Sequence, residues 1–338
     1  MRVAIVGCGQ AAEKYHLPAF REIPGLKVTA AADTSAKASR RVGSLFGIDH
    51  LYATAEEMLE REEVDLLDIA SPGFTHYELC LLGLKHGVNV LVEKPLVLSL
   101  SQAETLKERR DSSGLKLCVI QNYRYRDPFL RLAQLRQQGI IGRIQAVNIT
   151  VRGGSLYYNP SWFRNEKLSG GILYELVVHA ADLQTWMMGS HEKVVSAWSD
   201  FDETLGFTKG LVALVMFPGN RLATLDLRWF MSSPTFRVDI LSNVADAVVK
   251  LNPDCIAITE GERTPYDEFR GEFRRMLTYG NSVLRGKVRE AYRRPHARVI
   301  RAFVDSIISD KEPPVTIESV IPAIRLLENL RDSFSRLE

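Results

Sequence analysis

The sequence predicts an α/β protein: an N-terminal Rossmann domain built on a doubly wound parallel sheet, then a C-terminal α+β domain with an open, mostly antiparallel sheet. Three observations carry this expectation. Apolar runs at Val3–Val6, Val28–Ala32, Leu66–Ala70, Val88–Val92 and Leu117–Ile120 alternate with helical stretches of roughly 10–15 residues, as strands covered on both faces by crossover helices do. The first run feeds directly into Gly7-Cys8-Gly9-Gln10-Ala11-Ala12, a GxGxxA turn opening a helical pattern over Ala11–Ile23. From Lys193 onward the period changes to two, with Pro218-Gly219-Asn220 as a hairpin turn between two alternating runs. The chain has 338 residues, more than one domain usually holds. The expected division is 1–122, 123–296 and a C-terminal helical segment, 297–338, that returns toward the Rossmann domain.

Taken in order, the first element is a dinucleotide site. Gly7 and Gly9 permit the tight turn and the close approach of backbone to a pyrophosphate. Gln10 and Ala11 open the helix whose N-terminus attracts anions, and Ala12 keeps that helix near the strand. The second strand ends at Asp33, an acid about 20 positions on, where a ribose 2′-hydroxyl acceptor is expected. A carboxylate there repels a 2′-phosphate, which favours NAD. Lys37, Arg40 and Arg41 on the next helix leave NADP open.

The later strands of this domain end in polar clusters: Ser71-Pro72 with His76 close behind, Glu93-Lys94-Pro95, and Gln121. Open α/β sheets bind ligands at the carboxyl ends of their strands, so these clusters are candidate cofactor contacts. Proline ends the ladder after Lys94. A lysine held at that point can polarise a substrate oxygen or relay a proton; the plainer alternative is a surface ion pair capping a strand. His76, on a first helical turn, fits capping or packing as well as a cofactor contact.

In the second domain, Ser169-Gly170-Gly171 precedes an apolar helix carrying Glu175, His179 and Asp182. Spacings of four and three place them on one helical face, suited either to acid–base chemistry or to a structural ion pair. An aromatic loop ahead of it offers Tyr158, Trp162 and Arg164 as candidate substrate contacts.

GCGQAA, Asp33, the SPxxxH stretch at 71–76 and EKP at 93–95 together resemble the Gfo/Idh/MocA family, the group of glucose–fructose oxidoreductase and inositol dehydrogenase. The resemblance implies an NAD(P)-dependent oxidoreductase acting on a secondary alcohol of a sugar, cyclitol or nucleotide sugar. It implies catalytic roles for Lys94 and His179, with Glu175 at the family's acid position, and assembly as a homo-oligomer, dimer or tetramer, through the open sheet. The sequence departs from the pattern twice: Gly73 replaces a usual Asn, and Glu175 a usual Asp. The family also includes glycosidases that oxidise transiently with bound NAD, and regulators that bind the nucleotide without turnover; both are alternatives.

Composition narrows the partners. A net charge of +2 and 25% charged residues give no global attraction to nucleic acid. The cysteines Cys8, Cys80, Cys118 and Cys255 are scattered with no CxxC pair, so no metal site is expected and free thiols fit a reducing compartment. No leader is read at the N-terminus and no apolar run approaches the ~20 residues that span a bilayer, so a cytoplasmic protein without membrane contact is expected. The stretch 268–294 combines helical apolar spacing with eight basic residues, as a solvated amphipathic helix does.

Overall fold

A computed structural model describes residues 1–153, 171–203, 207–229, 231, 234–260 and 290–336. Tyr158, Trp162, Arg164 and most of the basic stretch 268–294 lie outside the described residues. The chain divides into two compact units, Met1–Asn122 with Arg293–Ile321, and Tyr123–Tyr292 with Pro322–Glu338.

In the first unit, β1 (Arg2–Val6), β2 (Lys27–Ala32), β3 (His50–Tyr52), β4 (Leu66–Ile69), β5 (Asn89–Glu93) and β6 (Leu117–Ile120) form one sheet. Their order is β3-β2-β1-β4-β5-β6, and every neighbouring pair is parallel. The order reverses between β1 and β4, so the crevice for a ligand opens at the carboxyl ends of those two strands. The helices begin and end where their side chains allow. Ser35, Thr54 and Ser99 cap α2 (Ala36–Phe46), α3 (Ala55–Arg61) and α5 (Leu100–Ser113) through their hydroxyls, and Gly47 and Gly114 close α2 and α5 in the left-handed region. The expected helix over Ala11–Ile23 is divided: a π-turn, Ala12–His16, runs into α1 (Leu17–Arg21), with the Leu17 amide bonded to the Ala12 carbonyl. Helix α4 (His76–Lys85) follows a short 3₁₀ turn at Gly73–Thr75.

In the second unit, α6 (Asp127–Gln137) leads to β7 (Ile144–Arg152), and α7 (Val178–Met188) precedes β8 (Lys193–Asp202), β9 (Phe207–Phe217), β10 (Arg221–Arg228), β11 (Thr235–Ser242), β12 (Ala245–Leu251) and β13 (Cys255–Glu260). With β14 (Phe334–Arg336) they make an eight-stranded sheet, ordered β13-β12-β11-β7-β10-β9-β8-β14. The pairs β7–β10 and β8–β14 are parallel and the other pairs antiparallel. Gly219 and Asn220, both at positive φ, turn β9 into β10. Along β7 and β10 buried and part-exposed residues alternate, so one sheet face is apolar. Helix α7 is buried at every residue except Trp186, so the polar side chains it carries need partners within the protein. The Gln184 amide anchors it by donating to the Val147 carbonyl of β7 (3.1 Å) and the Thr224 carbonyl of β10 (2.9 Å).

The last two helices are α8 (Glu290–Ile308) and α9 (Ile317–Asp332), and the C-terminal part of the chain is divided between the two units. Residues up to Ile321 belong to the first unit, where the Val119 amide donates to the Val315 carbonyl (3.1 Å). The remainder belongs to the second, because β14 adds to the sheet beside β8.

Candidate active site

The first unit places its motif residues around the ends of β1 and β4. Gly7 has φ of +93°, and its amide donates to the Ala32 carbonyl (2.9 Å). A Cβ on Gly7 would lie 2.6 Å from the Ser71 nitrogen and 2.7 Å from the Ala70 carbonyl carbon, so glycine alone fits. Gly9 is exposed, and a Cβ there would meet nothing within 4 Å. The open space above Gly9 is what a pyrophosphate lying on the backbone requires. The helix opens with the Glu13 amide bonded to the Gly9 carbonyl (3.1 Å), so Gln10, Ala11 and Ala12 form its anion-attracting first turn. Ala12 is fully buried beside Ile5, Ala31 and Val42, which sets the helix close to the sheet.

Asp33 is held from two sides. One carboxylate oxygen accepts the Cys8 amide (2.7 Å) and the other the Ser35 amide (2.7 Å). The acid is therefore fixed at the lip of the glycine turn, half-exposed, with lone pairs left for a diol. Arg41 of α2 is drawn instead to Glu13 (2.9 Å). Burial pushes the Cys8 thiol up to about 12, with Asp33 adding to the effect, so Cys8 packs here as a neutral group.

Ser71 and Pro72 follow β4. The Ser71 hydroxyl lies 2.6 Å from the Thr75 hydroxyl, which donates to the Pro72 carbonyl (2.7 Å). His76 is fully buried beneath this loop, its ring nitrogens 2.6 Å from the Pro95 carbonyl oxygen and 2.9 Å from that of Ser71. It ties the loop after β4 to the loop after β5, so a bracing role replaces the direct cofactor contact expected of its side chain. Gly73 fits the same arrangement: a Cβ there would sit 2.9 Å from Cδ of Pro95, so the asparagine of the family pattern would push the two loops apart. Gln121 is buried at the end of β6, and its side-chain oxygen has no hydrogen-bond partner in the structure.

Glu93 was expected to face the cofactor, but its carboxylate turns inward. One oxygen lies 3.0 Å from His16 Nε2 and 3.4 Å from His296 Nε2; the other accepts the Lys94 amide (3.0 Å). His16 is completely buried, and its Nδ1 lies 2.9 Å and 3.0 Å from the two Asp68 oxygens. Burial alone would lower the His16 value, yet Asp68 and Glu93 outweigh it and raise it from 6.5 to about 10. Burial alone would raise Glu93, yet hydrogen bonds from His16 and His296 hold it well below the usual carboxylate range. These directions set a pH dependence. The stability that His16 contributes is fully present below about pH 6.5 and is lost as the pH rises through about 10; that of Glu93 is present above its ordinary value and lost as the pH falls through its lowered one. Urea unfolding of the wild type between pH 6.5 and 10 is therefore expected to show falling stability, with a flatter dependence in His16→Gln. Parallel curves would contradict this protonation state.

The second unit contributes His179 on the first turn of α7. His179 is buried, 9% exposed, and its ring stacks on Tyr123 at 4.1 Å and 11°. Tyr123 is in turn held edge-on by Phe236 (5.1 Å) and capped by the Arg126 guanidinium (5.5 Å), while Arg126 pairs with Asp254. The Arg124 Nε donates to Asp182 (2.8 Å) within a buried two-pronged pair. Asp182 is therefore a structural anchor for the helix bearing His179. Glu175 falls in a second π-turn, Leu173–Val177, with the Val178 amide bonded to the Leu173 carbonyl. Glu175 thus lies in the π-turn and His179 in the α-helix that follows it.

The sequence reading missed His16, Asp68, His296, Tyr123 and Arg126. Asp68 carried a signal, since a carboxylate in the middle of an otherwise apolar strand demands a buried partner. Among the described residues no group of three or more His, Cys, Asp or Glu could hold a metal ion, and no helix is long and apolar enough to cross a membrane.

A parallel sheet in this order, a glycine turn open at Gly9 and an acid fixed at its lip define a dinucleotide-binding protein of Rossmann type. Residues 1–121 match the oxidoreductase family with an NAD-binding Rossmann fold, and residues 129–243 match the GFO/IDH/MocA C-terminal domain; the chain belongs to the Gfo/Idh/MocA family. It is 29% identical over 198 residues to D-apiose dehydrogenase of Paraburkholderia graminis, covering 58% of this chain and 52% of the relative. With D-glucoside 3-dehydrogenase of Escherichia coli it shares 28% identity over 195 residues, 56% of this chain and 54% of the relative. The chain thus spans about half the length of these curated relatives. Among solved structures, the WlbA dehydrogenase of Bordetella pertussis in complex with NADH and UDP-GlcNAcA superposes with a TM-score of 0.83 at 19% identity, over 98% of this chain and 95% of that one. KijD10, a 3-ketoreductase from Actinomadura kijaniata in complex with NADP, gives 0.78 at 20% identity, over 100% and 98%. These likenesses show the fold.

Proposed function

We propose that the protein is an NAD-dependent dehydrogenase that oxidises a secondary alcohol of a sugar, cyclitol or nucleotide sugar, or reduces the matching ketone. The observation that carries this reading is a complete dinucleotide cradle whose neighbouring strand end bears Lys94, in a chain whose other unit presents a braced histidine at the family's catalytic position. Gly7, Gly9 and the first helical turn would hold the pyrophosphate, Asp33 the adenine ribose, and Ser71, Pro72 and Gln121 the rim near the nicotinamide. Bound NAD supplies the hydride acceptor. His179 takes the hydroxyl proton as the carbon is oxidised, and the Lys94 ammonium stabilises the developing alkoxide. Glu175 holds a neighbouring hydroxyl, and Tyr158, Trp162 and Arg164 shape the substrate pocket. The substrate class is supported by the sugar and nucleotide-sugar compounds that the relatives are named for or bound to.

The same reading includes a homo-oligomer, supported by apolar side chains left exposed on the second unit's strands at Val195, Leu222 and Leu241, and a reducing, cytoplasmic setting, supported by four free thiols.

The cofactor preference follows from the fixed Asp33. Fluorescence titration is expected to show NADH binding at least about tenfold tighter than NADPH, with the gap closing in Asp33→Ser as the repulsion of the 2′-phosphate is removed. Equal affinities in the wild type would contradict the assignment. Turnover is tested by following absorbance at 340 nm with NAD and a panel of sugars, cyclitols and nucleotide sugars. Stoichiometric NADH supports the reading. Glycoside cleavage without net reduction, or binding of cofactor with no reaction across the panel, contradicts it.

A further inference from the structure

Beneath the strand end that carries Lys94 lies a cluster of ionisable side chains that hydride transfer does not use. His16 bridges Asp68 of β4 and Glu93 of β5 through its two ring nitrogens, at 2.9 Å and 3.0 Å. His296 of α8 reaches the same Glu93 oxygen (3.4 Å), and its ring lies flat on Tyr15 at 4.4 Å and 6°. The second Glu93 oxygen accepts the Lys94 amide. The π-turn at Ala12–His16 carries both Tyr15 and His16 into this cluster, and such one-residue expansions of a helix are frequent at functional sites.

Charges buried in this way lose more hydration than they regain unless their geometry is tightly satisfied, and apolar residues would hold a strand end at least as stably. What the network does that apolar packing cannot is fix a carboxylate oxygen at one place, at hydrogen-bond distance from the Lys94 amide. We infer that His16 and His296 act through Glu93 as positioning residues for Lys94: two histidines clamp one carboxylate oxygen, and the other oxygen pins the main chain from which the Lys94 side chain springs. The inference rests on the role of Lys94 proposed above.

Two variants test it. His296→Phe keeps an aromatic ring on Tyr15 and removes the donor to Glu93; His16→Gln keeps a donor of similar length and removes the bridge. Amide hydrogen exchange at Lys94, read by mass spectrometry of overlapping peptides from the full chain saturated with NADH, is expected to quicken at least about tenfold in each, while β1 and β2 exchange as in the wild type. Unchanged exchange at Lys94 overturns the inference. With an alcohol that the wild type oxidises, each variant is expected to lower kcat by about tenfold or more with KM for NAD nearly unchanged, and to lower it no further when combined with Lys94→Ala. An equal loss in the Lys94→Ala background overturns the inference and leaves Lys94 catalytic. Full kcat in Lys94→Ala alone instead removes the catalytic reading of Lys94, and the positioning role with it.

Discussion

Gly7→Ala is expected to weaken NADH binding by at least about 100-fold, from strain and overpacking that cost about 1–3 kcal/mol each. The backbone at Gly7 is left-handed, with φ of +93°, a conformation that a side chain destabilises. The added methyl would also meet backbone atoms of Ala70 and Ser71 at 2.6–2.7 Å. Backbone in the middle of a sheet has no rotamer to change, so the ends of β1 and β4 must separate, and the cradle is built on those ends. Gly9→Ala is the control. Its methyl would meet no protein atom within 4 Å, so thermal stability should stay near the wild type while dinucleotide binding falls. Fluorescence titration with NADH beside thermal unfolding separates the two effects. A Gly7→Ala protein that binds NADH as the wild type does would contradict the assignment of the turn.

Lys94→Ala is expected to lower kcat by about 10²–10⁴-fold, the range lost with a proton-transfer or oxyanion-stabilising group. The loss should fall on kcat rather than on KM for NAD, because the proposed role has the charge act on the developing alkoxide and not on the bound dinucleotide. The side chains around Lys94 are already engaged by other groups. Glu93, beside it in sequence, is consumed by His16 and His296, and His76 is consumed by two carbonyls. Wild-type kcat in Lys94→Ala, measured with saturating substrate, would remove lysine from the mechanism.

The parts of this protein that could be read from its sequence are those whose partners lie close along the chain. Gly7, Gly9 and Ala12 form one turn, and Asp33 ends the next strand, so the nucleotide cradle is a local pattern. The apolar strands β1, β4, β5 and β6 and the alternating strands of the second sheet declare themselves by period. Strands β3 and β14, three residues each, are too short to show one.

The network under Lys94 was hidden for a different reason. His16, Asp68, Glu93 and His296 are separated by tens to hundreds of residues, and only the fold, through the β4–β5 pairing and two helical segments, brings them together. At a strand's end, alternation does not say which way a side chain turns. By pattern Glu93 faces the ligand, whereas two histidines draw it inward. The π-turns were equally illegible. Each adds one residue to a helical turn, and the apolar spacing along Ala12–His16 and Leu173–Val177 does not distinguish such a turn from α-helix.

The most direct measurement of the central claim is isotope transfer. A C-perdeuterated sugar from the panel that supports the proposed turnover is mixed with NAD, and the recovered dinucleotide and sugar are analysed by mass spectrometry. Hydride transfer to a released cofactor predicts NADH one mass unit heavier than from the unlabelled sugar, accompanied by an equal amount of the ketone. Sugar consumed or cleaved while the dinucleotide is recovered oxidised and unlabelled would contradict a dehydrogenase.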